Sequence, residues 1–223
     1  MTTTEQKKEK KLILVTGGNA GIGFALCKQL LIEDNCKVYL GARNIERGMK
    51  AVEDIQKMCV ADDSEKAKDI EFVLIDVSDD TSVKEAATKM KSMLATTTGI
   101  ISSSSSSLLY GLVNNANVAL QTGSARAGCE DEVLATNLYG PKRVADAFLN
   151  LIETQGRIVN VSSGAASIYL RDQSSRVKKF FTNPQTTWEE LVWKVERRKT
   201  LIDGGERGGA CCVYGLSKAA VNL

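Results

Sequence analysis

Tyr214-Gly215-Leu216-Ser217-Lys218 sets a phenol and an amine four residues apart, a spacing that puts both on one face of a helix, a single turn from each other. A phenol beside an ammonium is a candidate proton donor, because the cation favours the phenolate left behind. An ordinary helix with a lysine one turn from a tyrosine has the same spacing, so the pair takes its meaning from the residues upstream. These are a glycine-rich stretch near the N-terminus, Asn114-Asn115-Ala116 in the middle, and Val161-Ser162-Ser163 ahead of the tyrosine. The chain contains no histidine. Histidine-dependent nucleophile mechanisms are therefore excluded, and acid–base work falls to Tyr, Lys, Asp or Glu.

Thr16-Gly17-Gly18-Asn19-Ala20-Gly21-Ile22-Gly23 lies where an apolar run over 12–16 gives way to an apolar-periodic segment over 22–31. A strand turning into a helix presents backbone N–H groups and the positive end of the helix dipole, which together can hold a pyrophosphate. Gly17 suits the tight turn, Gly21 the close approach of phosphates, and Gly23 the close packing of helix on strand. The spacing is G-x-x-x-G-x-G rather than G-x-G-x-x-G, so an ordinary glycine turn stands as the alternative. The acidic residue that holds a ribose 2′-hydroxyl is expected about 20 residues beyond such a loop. Arg43 occupies that place, with Arg47 close enough to share its role. A guanidinium suits a 2′-phosphate, so the expected cofactor is NADPH/NADP+; a solvated strand-end arginine is the bland reading. Asp76, at the end of a later apolar run, suits a hydrogen bond from the adenine amino group or a plain loop position before a helix.

The elements that must position these residues follow from hydrophobic periodicity. Strands are predicted over 12–16, 37–42, 71–76, 110–114 and 157–161, and helices over 22–31, 44–60, 81–94 and 131–154. The alternation predicts an α/β, Rossmann-type, doubly wound parallel sheet in a single domain over 1–223. Residues 1–11 are predicted as a flexible polar tail, and six serines at 102–107 as a loop with little to bury. Residues 164–210 break the rhythm before the tyrosine helix. Within them Thr187 and Glu190 form a capping-box pattern that starts an amphipathic helix, with Trp188, Leu191, Val192 and Val195 on one face. That helix is either docked on the surface or a cover over a substrate cleft.

The 223 residues, 43% hydrophobic and 25% charged with a net charge of +2, describe one soluble globular domain with no call for nucleic acid. The only apolar run near the N-terminus is too short for a signal sequence or a membrane span, so a cytoplasmic protein is expected. The six cysteines include no C-x-x-C pair, so no metal site is expected and reduced thiols are.

Taken together, Thr16-Gly17 with Gly21-Ile22-Gly23, Asn114-Asn115-Ala116, Thr136-Asn137, Val161-Ser162-Ser163 and Tyr214 with Lys218 resemble the short-chain dehydrogenase/reductase family. The long segment between Ser163 and Tyr214 is similar to the insertion of its carbonyl reductase branch, whose members often act as monomers. The resemblance implies an NADPH-dependent reductase of ketone, aldehyde or quinone carbonyls, with small-molecule substrates. Retinoid or steroid dehydrogenation is the alternative substrate class. On that resemblance Tyr214 donates the proton, Ser163 rather than Ser162 holds the carbonyl oxygen, Lys218 binds the nicotinamide ribose, and Asn137 holds a water that links the lysine to solvent. Gly17, Asn19, Ala20, Gly21, Ile22 and Gly23 form the cofactor loop, Asn115 and Ala116 line the cofactor, and Val77 lies beside the adenine; Asn114 ties strands together.

Three departures from the family pattern stand out. Asn117 replaces the glycine that usually follows Asn-Asn-Ala, and Ala20 stands where NADPH-dependent relatives often carry a basic residue. The family's sixth and seventh strands have no counterpart, which raises the expectation of a truncated gene product with strand five as an exposed apolar edge. A truncated NADP(H)-binding pseudoenzyme or interaction module is accordingly the competing class. With no basic residue at position 20, 2′-phosphate recognition falls to Arg43. Arg43→Asp is expected to weaken NADPH much more than NADH in paired fluorescence titrations, and an unchanged NADPH/NADH ratio would remove Arg43 from that role.

Overall fold

The computed structural model describes residues 10–59, 66–97, 108–119, 129–197 and 210–223. The predicted serine loop and nearly all of the predicted polar tail lie outside these. The described chain divides into two compact units, each with its own packing: Met1–Asp76, Lys84–Asn115 and Ala147–Val159 form one, and Val77–Val83, Ala116–Asp146 and Asn160–Leu223 the other.

The first unit is built on a five-stranded sheet of β1 (Leu12–Thr16), β2 (Lys37–Ala42), β3 (Ile70–Leu74), β4 (Leu109–Asn114) and β5 (Ile152–Asn160), in the order β3-β2-β1-β4-β5. The β1–β2, β1–β4 and β2–β3 ladders are parallel. Parallel strands need crossovers, and α1 (Gly21–Ile32) and α2 (Ile45–Cys59) supply the first two. Leu14, Val15, Val38, Leu40 and Leu112 are fully or almost fully buried, as expected of strands covered on both faces. Cys27, Leu31 and Ile55 close over them from α1 and α2. The strand order reverses between β1 and β4, so a crevice opens beyond their C-terminal ends, where open α/β sheets take their ligands. The doubly wound parallel architecture is therefore the observed one.

Two predicted elements change. The long helix expected over 131–154 is a succession: α4 (Cys129–Leu134), a π-helical turn (Ala135–Tyr139), α5 (Gly140–Phe148) and a 3-10 turn (Leu149–Leu151). Leu151, whose period fits a helix, is buried at the turn instead, and β5 begins at Ile152. β5 is thus longer than the predicted 157–161, and its apolar residues are partly uncovered, as expected of an exposed apolar edge, with Ile158 38% and Val159 49% exposed. A strand at the sheet's edge has a neighbour on one side only, so its composition does not translate into burial.

In the second unit α6 (Gly164–Arg171), α7 (Ser175–Phe181), α8 (Trp188–Glu196) and α9 (Ala210–Val221) surround an apolar core of Tyr169, Phe181, Leu191, Val195, Val213 and Leu216. α8 starts where predicted. The Thr187 hydroxyl accepts the Glu190 N–H at 3.2 Å, and the Glu190 carboxylate accepts the Thr187 N–H at 2.9 Å. Its buried face is Leu191 and Val195, with Trp188 edge-on to Tyr139 at 5.9 Å. This helix is docked through its apolar face on the core of its own unit. Removing the cap by Thr187→Ala is expected to lower unfolding free energy by about 0.5–2 kcal/mol, read from the urea midpoint. A midpoint identical to the parent's would mean that packing alone sets the start of α8.

Candidate active site

In the first unit β1 ends at Thr16 and the chain turns through Gly17 and Gly21, both with positive φ (67° and 55°), before entering α1. No side chain caps α1, whose N-cap is Ala20 in extended conformation, and its first turn holds no acidic residue. A Cβ on Gly21 would meet nothing within 4 Å, so the loop presents backbone and open space together. Asn19 is half-buried, and Ala20, Gly21 and Ile22 are exposed at the mouth of the turn.

The loop is held from β4. Asn115 donates through Nδ2 to the carbonyls of Thr16 at 3.0 Å and Gly17 at 3.2 Å, and its own N–H donates to the Thr16 hydroxyl at 3.1 Å. That hydroxyl in turn donates to the Val113 carbonyl at 3.3 Å. A Cβ on Gly23 would fall 2.3 Å from the Gly17 oxygen and 2.5 Å from Asn115 Nδ2, so only glycine lets α1 approach this clamp. The Asn115 amide, expected to line the cofactor, is thus occupied in shaping the loop. Thr16 was legible only as a strand end; its hydroxyl is the missed member of the group.

On the neighbouring strand, Gly18 N–H donates to the Gly41 carbonyl at 2.9 Å, which brings the end of β2 alongside the loop. Arg43 follows β2, exposed, and no carboxylate pairs with it among the described residues. Arg47 is also exposed, on the first turn of α2, where its N–H is capped by Asn44 Oδ1 at 2.8 Å. Asp76 is half-buried just after β3. An uncapped helix start and a glycine surface with space above it suit the phosphates of a nucleotide.

The second unit holds Ser163, Tyr214 and Lys218, the residues expected to carry the acid–base work. Lys218 on α9 is 3% exposed, and its Nζ donates to the Val161 carbonyl at 2.9 Å while lying 5.8 Å from the Tyr214 ring centre. Burial pushes the ammonium's pKa below its usual 10.5. An ammonium has three donors, so two remain for other partners. The Ser162 hydroxyl donates to the Lys218 carbonyl at 3.3 Å and is thereby occupied. Ser163 caps α6, its oxygen accepting the Ala165 N–H at 3.2 Å, and its own O–H proton has no acceptor among the described residues. α6 can lie along α9 because Gly215 has no side chain: a Cβ there would sit 2.7 Å from Tyr169 Cβ.

Asn137, 1% exposed, sits in the π-helical turn. Such turns shift the helical register by one residue and recur at functional sites. Its Oδ1 accepts the Val118 N–H at 2.8 Å and its Nδ2 donates to the Val118 carbonyl at 2.9 Å and the Ser217 hydroxyl at 3.3 Å. Ser217 donates to the Tyr214 carbonyl at 2.7 Å, so Asn137 is linked to α9 beside the tyrosine through a residue that sequence reasoning passed over. Ala116 is half-buried. Val77 is buried against Gly140, and its carbonyl accepts from Arg143 at 2.7 Å, so its side chain is committed to packing on α5.

A family model described as short chain dehydrogenase matches residues 11–175. The chain belongs to the short chain dehydrogenase family. Carbonyl reductase (NADPH) 1 from Mus musculus is similar to it at 30% identity over 220 residues, covering 96% of this chain and 72% of that protein. (+)-Neomenthol dehydrogenase from Arabidopsis thaliana is 31% identical over 169 residues, 70% of this chain and 54% of that protein, so the match spans about half of that relative. Among solved structures, menthone neomenthol reductase from Mentha piperita matches with a TM-score of 0.74 at 29% identity, covering 96% of this chain and 82% of that one. This short chain dehydrogenase is accordingly a member of an oxidoreductase family.

The buried ammonium has a thermodynamic signature. Its pKa is lower in the folded chain than in the unfolded one, so between the lowered value and 10.5 the unfolded chain binds more protons. Stability therefore rises with pH across that window as the burial cost of the charge is relieved. Urea unfolding of the parent and of Lys218→Met is expected to show the parent gaining stability relative to the variant as pH rises toward 10.5. A parent that loses ground instead would mean that Lys218 is stabilised in its charged form.

Proposed function

We propose that this chain is an NADPH-dependent reductase of ketone, aldehyde or quinone carbonyls that works through a Ser163–Tyr214–Lys218 proton relay. The observation that carries the reading is the buried Lys218 ammonium on the same helix face as Tyr214, anchored by Val161 and with donors to spare. When bound, the reduced nicotinamide supplies a hydride to the carbonyl carbon. Ser163, whose hydroxyl proton is uncommitted, holds the carbonyl oxygen by donating to it, which also favours it over the occupied Ser162. Tyr214 gives its proton to that oxygen as negative charge develops. A free tyrosine has a pKa of about 10, and the ammonium one turn away stabilises the phenolate that remains. The reciprocal benefit falls to Lys218, because a desolvated cation gains most from a neighbouring anion.

For the cofactor, Gly17, Asn19, Ala20, Gly21, Ile22 and Gly23 offer the phosphate-binding turn, and the side-chain-free first turn of α1 supports that use. Asn115 acts by holding this turn in shape, and Ala116, Asp76 and the backbone of Val77 are the remaining candidate contacts. Arg43, with no carboxylate partner among the described residues, supports NADP(H) over NAD(H), as does the NADPH in the name of the mouse relative. Asn137 serves as the relay's positioning residue through Ser217 and the Tyr214 backbone. Water between Lys218 and solvent completes the return of the proton. Substrates are small molecules met in the cytoplasm by a monomer.

Tyr214→Phe keeps the ring and removes the hydroxyl that carries the proton. With a simple quinone and an aromatic aldehyde as substrates, NADPH oxidation is expected to fall by at least about 100-fold while NADPH binding, followed by cofactor fluorescence, stays within about twofold. Loss of both together would count against Tyr214 as the donor and for a structural role.

A further inference from the structure

Helices α7 and α8 enclose a groove of about 660 Å³, lined by none of the residues assigned above to carbonyl reduction. That volume falls within the range of small-molecule sites, roughly 300–1,000 Å³. Its aromatic surface comes from Phe180 on α7 and Trp193 on α8, and Trp193 is 57% exposed. The Arg197 guanidinium lies 4.2 Å from the centre of the Trp193 ring, and the part of that ring still in water gains free energy when another flat ring covers it.

The charges around these rings are unequal in what they have left to offer. Arg176 and Lys179 stand three residues apart on α7, so they share a rim of the groove. Neither has a carboxylate partner among the described residues. Lys194 reaches across from α8, its Nζ 5.9 Å from the centre of the Phe180 ring. On the acidic side Glu190 is occupied in capping α8. Glu189 beside it keeps one wall negative, which disfavours an extended polyanion while leaving the α7 rim positive.

We propose that this groove is a second ligand site that takes a flat aromatic carboxylate. The ring system lies against Phe180 and Trp193, and the carboxylate meets the α7 rim, where the Arg176 guanidinium offers a two-pronged donor and Lys179 a second cation. The site does not rest on the reductase reading, since it shares no residue with it.

The test uses the whole chain and 2-naphthoate as the probe. Trp188 and Trp193 are its two tryptophans, so tryptophan fluorescence reports on the groove, with equilibrium dialysis as a second readout. Saturable binding is expected, unaffected by saturating NADPH. The double variant Arg176→Glu/Lys179→Glu, both exposed or rim positions away from the core, is expected to bind at least about tenfold more weakly, and 2-naphthylmethylamine, with the same rings and the opposite charge, to be weaker than the carboxylate by a similar factor. Quenching that rises linearly without saturation would overturn the proposal. So would equal binding of acid and amine, equal binding by the charge variant, or displacement of 2-naphthoate by NADPH, which would place the probe in the nucleotide crevice instead. A chain that binds 2-naphthoate but not NADPH would leave this site standing and remove the reductase reading.

Discussion

A positive charge held out of water is the constraint around which the second unit is arranged. Lys218 is nearly inaccessible, and its Nζ donates to one backbone carbonyl, that of Val161. Such a group is costly to bury, and its position is tolerable only while its surroundings stay close and correctly aimed. The segment after β5 meets that demand twice, through the Val161 carbonyl on the ammonium and the Ser162 hydroxyl on the Lys218 carbonyl. The remaining serine is left as the cap of α6 with a proton to give. α9 can serve both neighbours because its inner face is apolar at Val213, Leu216, Ala219 and Ala220, and because Gly215 admits α6 at close range.

Both units use a buried asparagine amide to hold a backbone segment that has no regular ladder of its own. Asn115 ties the end of β4 to the glycine turn, and Asn137 grips Val118 by both its N–H and its carbonyl. A carboxamide carries donor and acceptor on one short side chain, so it can replace the pairing a strand would have supplied. Buried backbone groups must be satisfied, and irregular loops near a site are where ladders cannot do it. The glycine turn and the segment at Val118 are therefore shaped less by their own residues than by these two amides.

Much of this was readable from residue types. The β1 to β4 rhythm follows from short apolar runs separated by helical periodicity, and the Thr187–Glu190 cap from two side chains three residues apart, because each depends on neighbours within a turn or a strand. The stretch from Asp131 to Thr154 misled for the same reason: its periodicity is that of a helix, while the π turn at Asn137 and the burial of Leu151 depend on segments distant in sequence. β5 was expected as an exposed apolar edge, and Ile158 and Val159 are partly uncovered at the edge of the sheet. Val77 was expected beside the adenine, and its side chain packs against Gly140.

By itself the sequence determined the class of chemistry, the family resemblance and the order of the elements, since the absence of histidine, the glycine spacing and the tyrosine–lysine pair are local facts that no packing can alter. Only the tertiary structure decided which serine keeps a free proton, which asparagine holds the glycine turn, and that Lys218 sits desolvated on a carbonyl 57 residues away in sequence. Those outcomes depend on hydrogen-bond partners and exclusion of water, and both are properties of segments brought together by folding rather than of any residue's type.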